Sequence, residues 1–131
     1  MIFASRLQSQ VALSTTEAEY ISLSMSLRDV IPIMMLLEEM KKKGFQVICT
    51  NPHVYCKVFE DNSGALELAR LPKLRPRTKH INCCYHHFRE FACKGLLKFF
   101  PCSTDLMTAD TLTKPLAQNA FLRHRKHMCG Q

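Results

Sequence analysis

A chain of 131 residues, 47% hydrophobic and 22% charged, has the size and balance of one packed domain and excludes a disordered polyelectrolyte. Its net charge of +7 is unevenly spread: residues 1–69 hold six Lys/Arg against eight Asp/Glu, and residues 70–131 hold twelve against three. A polyanionic partner met by the second half fits that asymmetry, since concentrated Lys and Arg dominate affinity for phosphate backbones; a solvated basic face fits it equally well.

In chain order, Gln10-Val11-Ala12-Leu13-Ser14 reads as a short strand. A long amphipathic helix follows, with Tyr20, Leu23, Leu27, Val30, Ile31, Met34 and Leu37 at the three-and-four spacing of one buried face. Ser14 with Glu17, or Thr16 with Glu19, makes a capping box at its start. Pro32 is expected to kink it, and Lys41-Lys42-Lys43-Gly44 to end it. After Asn51-Pro52, the run Val54 to Phe59 reads as a buried parallel strand that leaves Asp61 at its carboxyl end. Asn62 or Ser63 can cap the next helix, which carries Ala65, Leu66, Leu68 and Ala69. Leu71 to Arg77 contains two prolines and reads as a basic loop. Thr78 to Lys94 is expected to be a second amphipathic helix stopped by Gly95, followed by a strand over Leu96 to Phe100. Met107 to Met128 then supplies two short helices split near Pro115. This order implies α/β layering around a partly parallel sheet in one domain, residues 1–131.

Chemistry-bearing residues recur in three acidic stretches, around Glu17, Asp61 and Asp110. Ligands of open α/β sheets collect beyond the carboxyl ends of strands, where Asp61 falls, and grouped hard carboxylates there suit two divalent cations. Each has a plainer reading: Glu17 as a helix cap, Asp61 as a turn acid, Asp110 as a solvated helix acid. His80, Cys83, Cys84 and His87 have zinc-compatible atoms at helical spacing, but four ligands from one helix rarely surround a tetrahedral ion. The seven cysteines are odd in number and lack paired zinc-ribbon spacing, and Met1-Ile2-Phe3-Ala4-Ser5-Arg6 has no signal-peptide layout, so reduced thiols are expected. No stretch has the length of an uncharged membrane span, so no membrane partner is expected.

Four segments carry a resemblance in the same order along the chain: Val11 to Leu23 with its Ser-Thr-Thr-Glu-Ala-Glu-Tyr core; Glu60-Asp61-Asn62-Ser63-Gly64-Ala65; Arg77-Thr78-Lys79-His80-Ile81 with Tyr85-His86 and Arg89-Glu90; and Ala109-Asp110-Thr111-Leu112-Thr113-Lys114-Pro115-Leu116. Together they resemble the ribonuclease H domain that closes the Pol polyprotein of copia-type retrotransposons, and the likeness covers nearly the whole chain.

The resemblance implies an incomplete ribonuclease H-like fold, a mixed sheet flanked by helices with the first two strands missing. It implies Mg2+-dependent hydrolysis of the RNA strand of an RNA/DNA hybrid. Glu17, Asp61 and Asp110 fall on three of the family's four metal-binding, catalytic carboxylates; the fourth lies on a strand upstream of this chain's start. Hybrid contact is expected from Arg75, Arg77, Lys79 and His80, by backbone and shape rather than base reading. Reverse transcriptase and integrase portions of a polyprotein are the implied upstream partners, and the implied setting is intracellular, a cytoplasmic replication particle or the nucleus rather than secretion. Without the fourth carboxylate the isolated chain is expected to be weak or inactive. A non-catalytic nucleic-acid-binding or assembly module and a relic reading frame are the alternatives.

Overall fold

The computed structural model describes residues 7–47, 53–71, 81 and 83–130. The chain is mixed α/β, and the longest element is α1, Thr15–Lys42. Its start is set locally: the Ser14 hydroxyl accepts from the Glu17 amide at 3.2 Å, while Glu17 Oε2 accepts from the Leu13 amide at 2.9 Å. Two of the amide donors at the helix mouth are thereby satisfied reciprocally. At the far end the Gly44 amide bonds to Lys41 O and the Phe45 amide to Met40 O, with Gly44 at φ +86°. This left-handed terminator favours glycine, which has no Cβ to clash.

Helix α1 runs unbroken through Pro32, which is exposed. Proline removes one helical donor there, and the carbonyl it frees lies on the solvent side, where water can satisfy it. By length and composition α1 is apolar enough to cross a membrane, with a mean hydropathy of 1.4 in its most apolar window. That window includes buried positions along one face, among them Tyr20, Ile21, Leu27 and Ile31, which form much of the core.

Strand β1, Cys56–Glu60, pairs in parallel with β2, Leu97–Pro101, in the register Val58 opposite Phe99. A parallel pair requires a crossover. Here the crossover contains α2, Ser63–Arg70, a 3-10 turn, Cys83–His86, and the short α3, Arg89–Cys93. Leu97 and Phe99 point inward against Tyr20, Leu66 and Phe88, while Phe59 and Phe100 lie on the other face with ring centroids 5.8 Å apart. The alternation is the strand's two-residue period, and fully burying one large apolar side chain contributes about 1.5–3 kcal/mol.

Beyond β2 come 3-10 turns at Thr104–Leu106 and Thr108–Leu112 and then α4, Gln118–Cys129. The expected two-part tail is therefore present, with its first part wound more tightly than an α-helix.

Two expectations from the sequence are corrected. Gln10 to Ser14 is irregular rather than a strand, and its end is committed to the start of α1: Leu13 N donates to Glu17 Oε2, and the Ser14 hydroxyl accepts from Glu17 N. Thr78 to Lys94 is also not one helix, although residues 72–80 and 82 lie outside the described set. From Cys83 onward it is a 3-10 turn followed by α3, and the buried residues Tyr85 and Phe88 are three apart. Tyr85 lies in the turn and Phe88 at the start of α3, so the two bury from different elements rather than from one helix face.

Candidate acidic site

The carboxyl end of β1 delivers Glu60 and Asp61 to the start of α2. Asn62 caps that helix, its Oδ1 accepting from the Ala65 amide at 3.0 Å, and Glu60 Oε1 accepts from the Asn62 amide at 3.1 Å. The mouth of α1 abuts the mouth of α2: Thr16 Oγ1 donates to Asn62 Oδ1 at 3.4 Å. Gly64 permits this approach, because a Cβ there would meet Thr16 Cγ2 at 2.8 Å and Thr16 Oγ1 at 2.9 Å.

The two glutamates of α1 have different fates. Glu17 is buried, and its carboxylate is bonded to the Leu13 amide at the helix start. Glu19 is exposed and lies within electrostatic reach of Glu60 and Lys114. Asp61 is exposed and acts on the same two groups. Asp110, on the 3-10 turn Thr108–Leu112, completes the neighbourhood and is paired to Lys114 four residues on, Nζ to Oδ2 at 2.9 Å. Lys114 is thus paired with Asp110 and feels the charges of Asp61 and Glu19.

The charges are felt. Burial first, then the carboxylates of Glu19 and Asp61, hold Glu60 above the usual carboxylate range, against the opposing Asn62 amide. The hydrogen bond that Lys114 donates to Asp110 is the main cause raising Lys114, with Asp110, Asp61 and Glu19 adding through their charges. Hard, crowded carboxylate oxygens are the right chemistry for Mg2+. Their placement is not that of a closed metal site, since among the described residues no three His, Cys, Asp or Glu side chains converge to hold an ion. The same finding covers Cys83, Cys84 and His87; both cysteines are exposed, and His80 lies outside the described residues.

Of the expected site residues, Asp61 and Asp110 are brought into this region, whereas the Glu17 carboxylate is engaged at the start of α1. Of the two capping boxes that the sequence offers, the structure forms the one with Ser14 and Glu17, and Glu19 is left exposed. Arg75, Arg77, Lys79 and His80 lie outside the described residues.

Behind the site sits a polar network buried among apolar side chains. Arg89 Nε donates to the Tyr20 hydroxyl at 3.2 Å, and Tyr20 meets His86 Nδ1 at 2.7 Å. With Arg89 donating, the Tyr20 proton goes to Nδ1, and His86 carries its own proton on Nε2. Burial and the charge of Arg89 lower the His86 pKa, consistent with that neutral tautomer. Arg89 also donates to Leu68 O at 3.2 Å, tying α1, the 3-10 turn, α2 and α3 together. On the far side, Thr108 Oγ1 hydrogen-bonds the buried His124 ring of α4 at 3.4 Å, which anchors the turn bearing Asp110.

No protein-family model matches the chain, and no solved structure matches it. Curated relatives do match it, and three of them are the following. The chain is 37% identical over 117 residues to the retrovirus-related Pol polyprotein from transposon TNT 1-94 of Nicotiana tabacum, covering 89% of the chain. It is 39% and 38% identical over 119 residues to the corresponding polyproteins from transposons RE2 and RE1 of Arabidopsis thaliana, covering 91% of the chain in each case. The chain spans 8% of the length of each relative. Along about nine-tenths of its length, this chain is thus homologous to one short segment of the Pol polyproteins of plant transposons.

Proposed function

We propose that the chain is the later part of a retrotransposon ribonuclease H domain. Its inherited reaction is Mg2+-dependent hydrolysis of the RNA strand in an RNA/DNA hybrid, and turnover by this chain alone is low. The observation that carries the reading is the place of Asp61, directly after β1 and before the capped α2, where open α/β sheets bind ligands. The four segments that resemble the family supply these residues, and the Pol relatives support the same origin.

Glu17, Asp61 and Asp110 are the carboxylates that the family resemblance assigns to metal binding, and Glu19 is an exposed neighbour on the same helix start. When bound, magnesium would supply an activated water and charge stabilisation at the scissile phosphate. The chain's own residues orient the acids: Asn62 fixes the turn after β1, Gly64 lets α1 approach, and His124 holds the Asp110 turn. A preceding segment of a longer polyprotein would add a strand at the free edge of β1 and a further acid.

Cleavage of a labelled hybrid in Mg2+ tests the reading. The expected result is little cleavage by this chain and clear cleavage by an upstream-extended chain, lost in Asp61→Asn. Robust turnover by the 131-residue chain that Asp61→Asn abolishes would show the low-activity expectation to be wrong.

A non-catalytic nucleic-acid-binding module is the second reading, favoured by the Lys114 pairing and by the absence of a three-ligand cluster among the described residues. Hybrid binding that weakens with salt and proceeds without cleavage, also in the extended chain, supports it.

A further inference from the structure

Helix α1 is apolar on two sides. Its core face carries Tyr20, Leu27, Ile31 and Met34, which cluster with Leu66, Phe88 and Phe99. Leu36 stands nine residues after Leu27, two and a half turns at 3.6 residues per turn, and so lies on the opposite side of the helix. Ile33 and Met40 flank it, and Asp29 and Lys43 close the two ends of the same stripe, at successive spacings of four, three, four and three residues. Ile33 is 40% and Leu36 57% exposed, Met40 is half-buried, and both charged residues are exposed. The face of a helix turned away from its core is ordinarily polar, so this apolar stripe is left over after the core is built.

The stripe is self-complementary in one orientation. Asp29 lies seven residues before Leu36 and Lys43 seven after it, each about 10.5 Å along the axis. A second copy related by a two-fold axis through Leu36 therefore runs antiparallel and sets Leu36 against its own counterpart, Ile33 beside the partner's Met40, and Asp29 opposite the partner's Lys43 at both ends. Parallel copies would instead set Asp29 against Asp29 and Lys43 against Lys43. Within the chain Lys43 is paired to Glu39 at 3.1 Å with side chains 68% and 62% exposed, and so exposed a pair is weak enough to share its ammonium with a second carboxylate.

We propose that this stripe is the interface of a weak antiparallel dimer of the chain. The pairing does not depend on the acidic residues beyond β1. Two crossed helices bury less than the roughly 1,200 Å² at which stable interfaces begin, so the dissociation constant is on the order of 10–100 μM.

Sedimentation velocity of the 131-residue chain over a concentration series tests this, with circular dichroism reporting the fold and a reductant present because Cys83, Cys84, Cys93 and Cys129 are exposed. A discrete dimer is expected for the unsubstituted chain. Leu36→Asp, which brings two carboxylates face to face at the axis, is expected to stay monomeric. Asp29→Lys and Lys43→Asp are each expected to weaken the dimer roughly tenfold, because two attractive pairs become repulsive, and the combined swap Asp29→Lys with Lys43→Asp to restore it. Should Leu36→Asp alter the spectrum, the swaps at the two exposed charged positions decide the matter without it. A chain that stays monomeric at about 1 mM overturns the proposal. So does a combined swap that associates no better than the single ones, and so does a dimer that Leu36→Asp and the swaps leave unchanged, which would assign association to another surface such as the free edge of β1. Binding of a monomeric chain to neutral phospholipid vesicles, lost in Leu36→Asp, would assign the stripe to a membrane and likewise overturn the dimer.

Discussion

Tyr20 shows how much a single polar atom can organise. Its ring is fully buried, yet its hydroxyl accepts from Arg89 and donates to His86, so removing the oxygen takes a partner from two half-buried groups. Tyr20→Phe is expected to cost about 1–3 kcal/mol in urea unfolding, since an unsatisfied buried group carries its full desolvation penalty. The histidines add a pH dependence. Burial, and for His86 the charge of Arg89, hold the His86 and His87 pKa values below their ordinary 6.5. The folded chain therefore binds fewer protons than the unfolded chain just below pH 6.5, and this contribution to stability is lost as pH falls from there through the lowered folded values. Glu60 works the other way: its folded pKa is raised above 4.5, so ionised Glu60 weakens the fold at neutral pH and the penalty fades as pH falls through the raised value toward 4.5. Melting curves separate the two. His86→Asn should flatten the loss of stability between pH 7 and pH 5.5, and Glu60→Gln should raise the melting temperature at pH 7 by a few degrees while its amide oxygen still accepts from Asn62.

Individual elements were largely legible because their signals are local. Ser14, Gly44, Asn62 and Gly95 punctuate the chain where the sequence placed them, and β1 and β2 lie within a residue or two of their apolar runs. Asn62→Ala removes a cap that Ala65 and Thr16 both use and should cost about 1 kcal/mol. Gly64→Ala is a sharper test of how the two helix mouths meet. Alanine is usually the better helix former, yet here its Cβ would sit 2.8 Å from Thr16 Cγ2, so the single substitution should destabilise the chain. Adding Thr16→Ala should recover part of that loss, and a thermodynamic cycle over the two sites should show strong coupling. Elements that depend on distant partners were not legible. Gln10 to Ser14 has strand composition but commits Leu13 and Ser14 to the start of α1, and the periodicity of Thr78 to Lys94 did not reveal that Tyr85 buries from a 3-10 turn and Phe88 from the start of α3.

At the scale of the whole molecule the chain leaves surfaces that a two-stranded sheet cannot cover. Cys56 N donates to Leu96 O, and Glu60 O accepts from Cys102 N, so Cys56, Val58 and Glu60 turn their backbone groups toward β2. Lys57 and Phe59 must then turn theirs to the opposite edge, where no strand lies among the described residues. Ile33, Met35 and Leu36 of α1 are also exposed, at 40%, 60% and 57%. An upstream-extended chain is therefore expected to melt at higher temperature and to aggregate less by light scattering than the 131-residue chain; an unchanged melting temperature would remove the free edge as an explanation.

By itself, the sequence determined what short-range chemistry decides: where helices start and stop, which runs become strands, and that Asp61 follows a strand and precedes a capped helix. It also determined the kinship with Pol polyproteins, through motifs spread over nearly the whole chain. Only the tertiary structure decided that the start of α1 meets the start of α2, and that Tyr20 is tied to His86 and Arg89. The physical reason is range: capping and periodicity act within four residues, whereas these contacts join groups far apart in the chain, and the meeting of the two helix mouths depends on a glycine that has no Cβ to keep them apart.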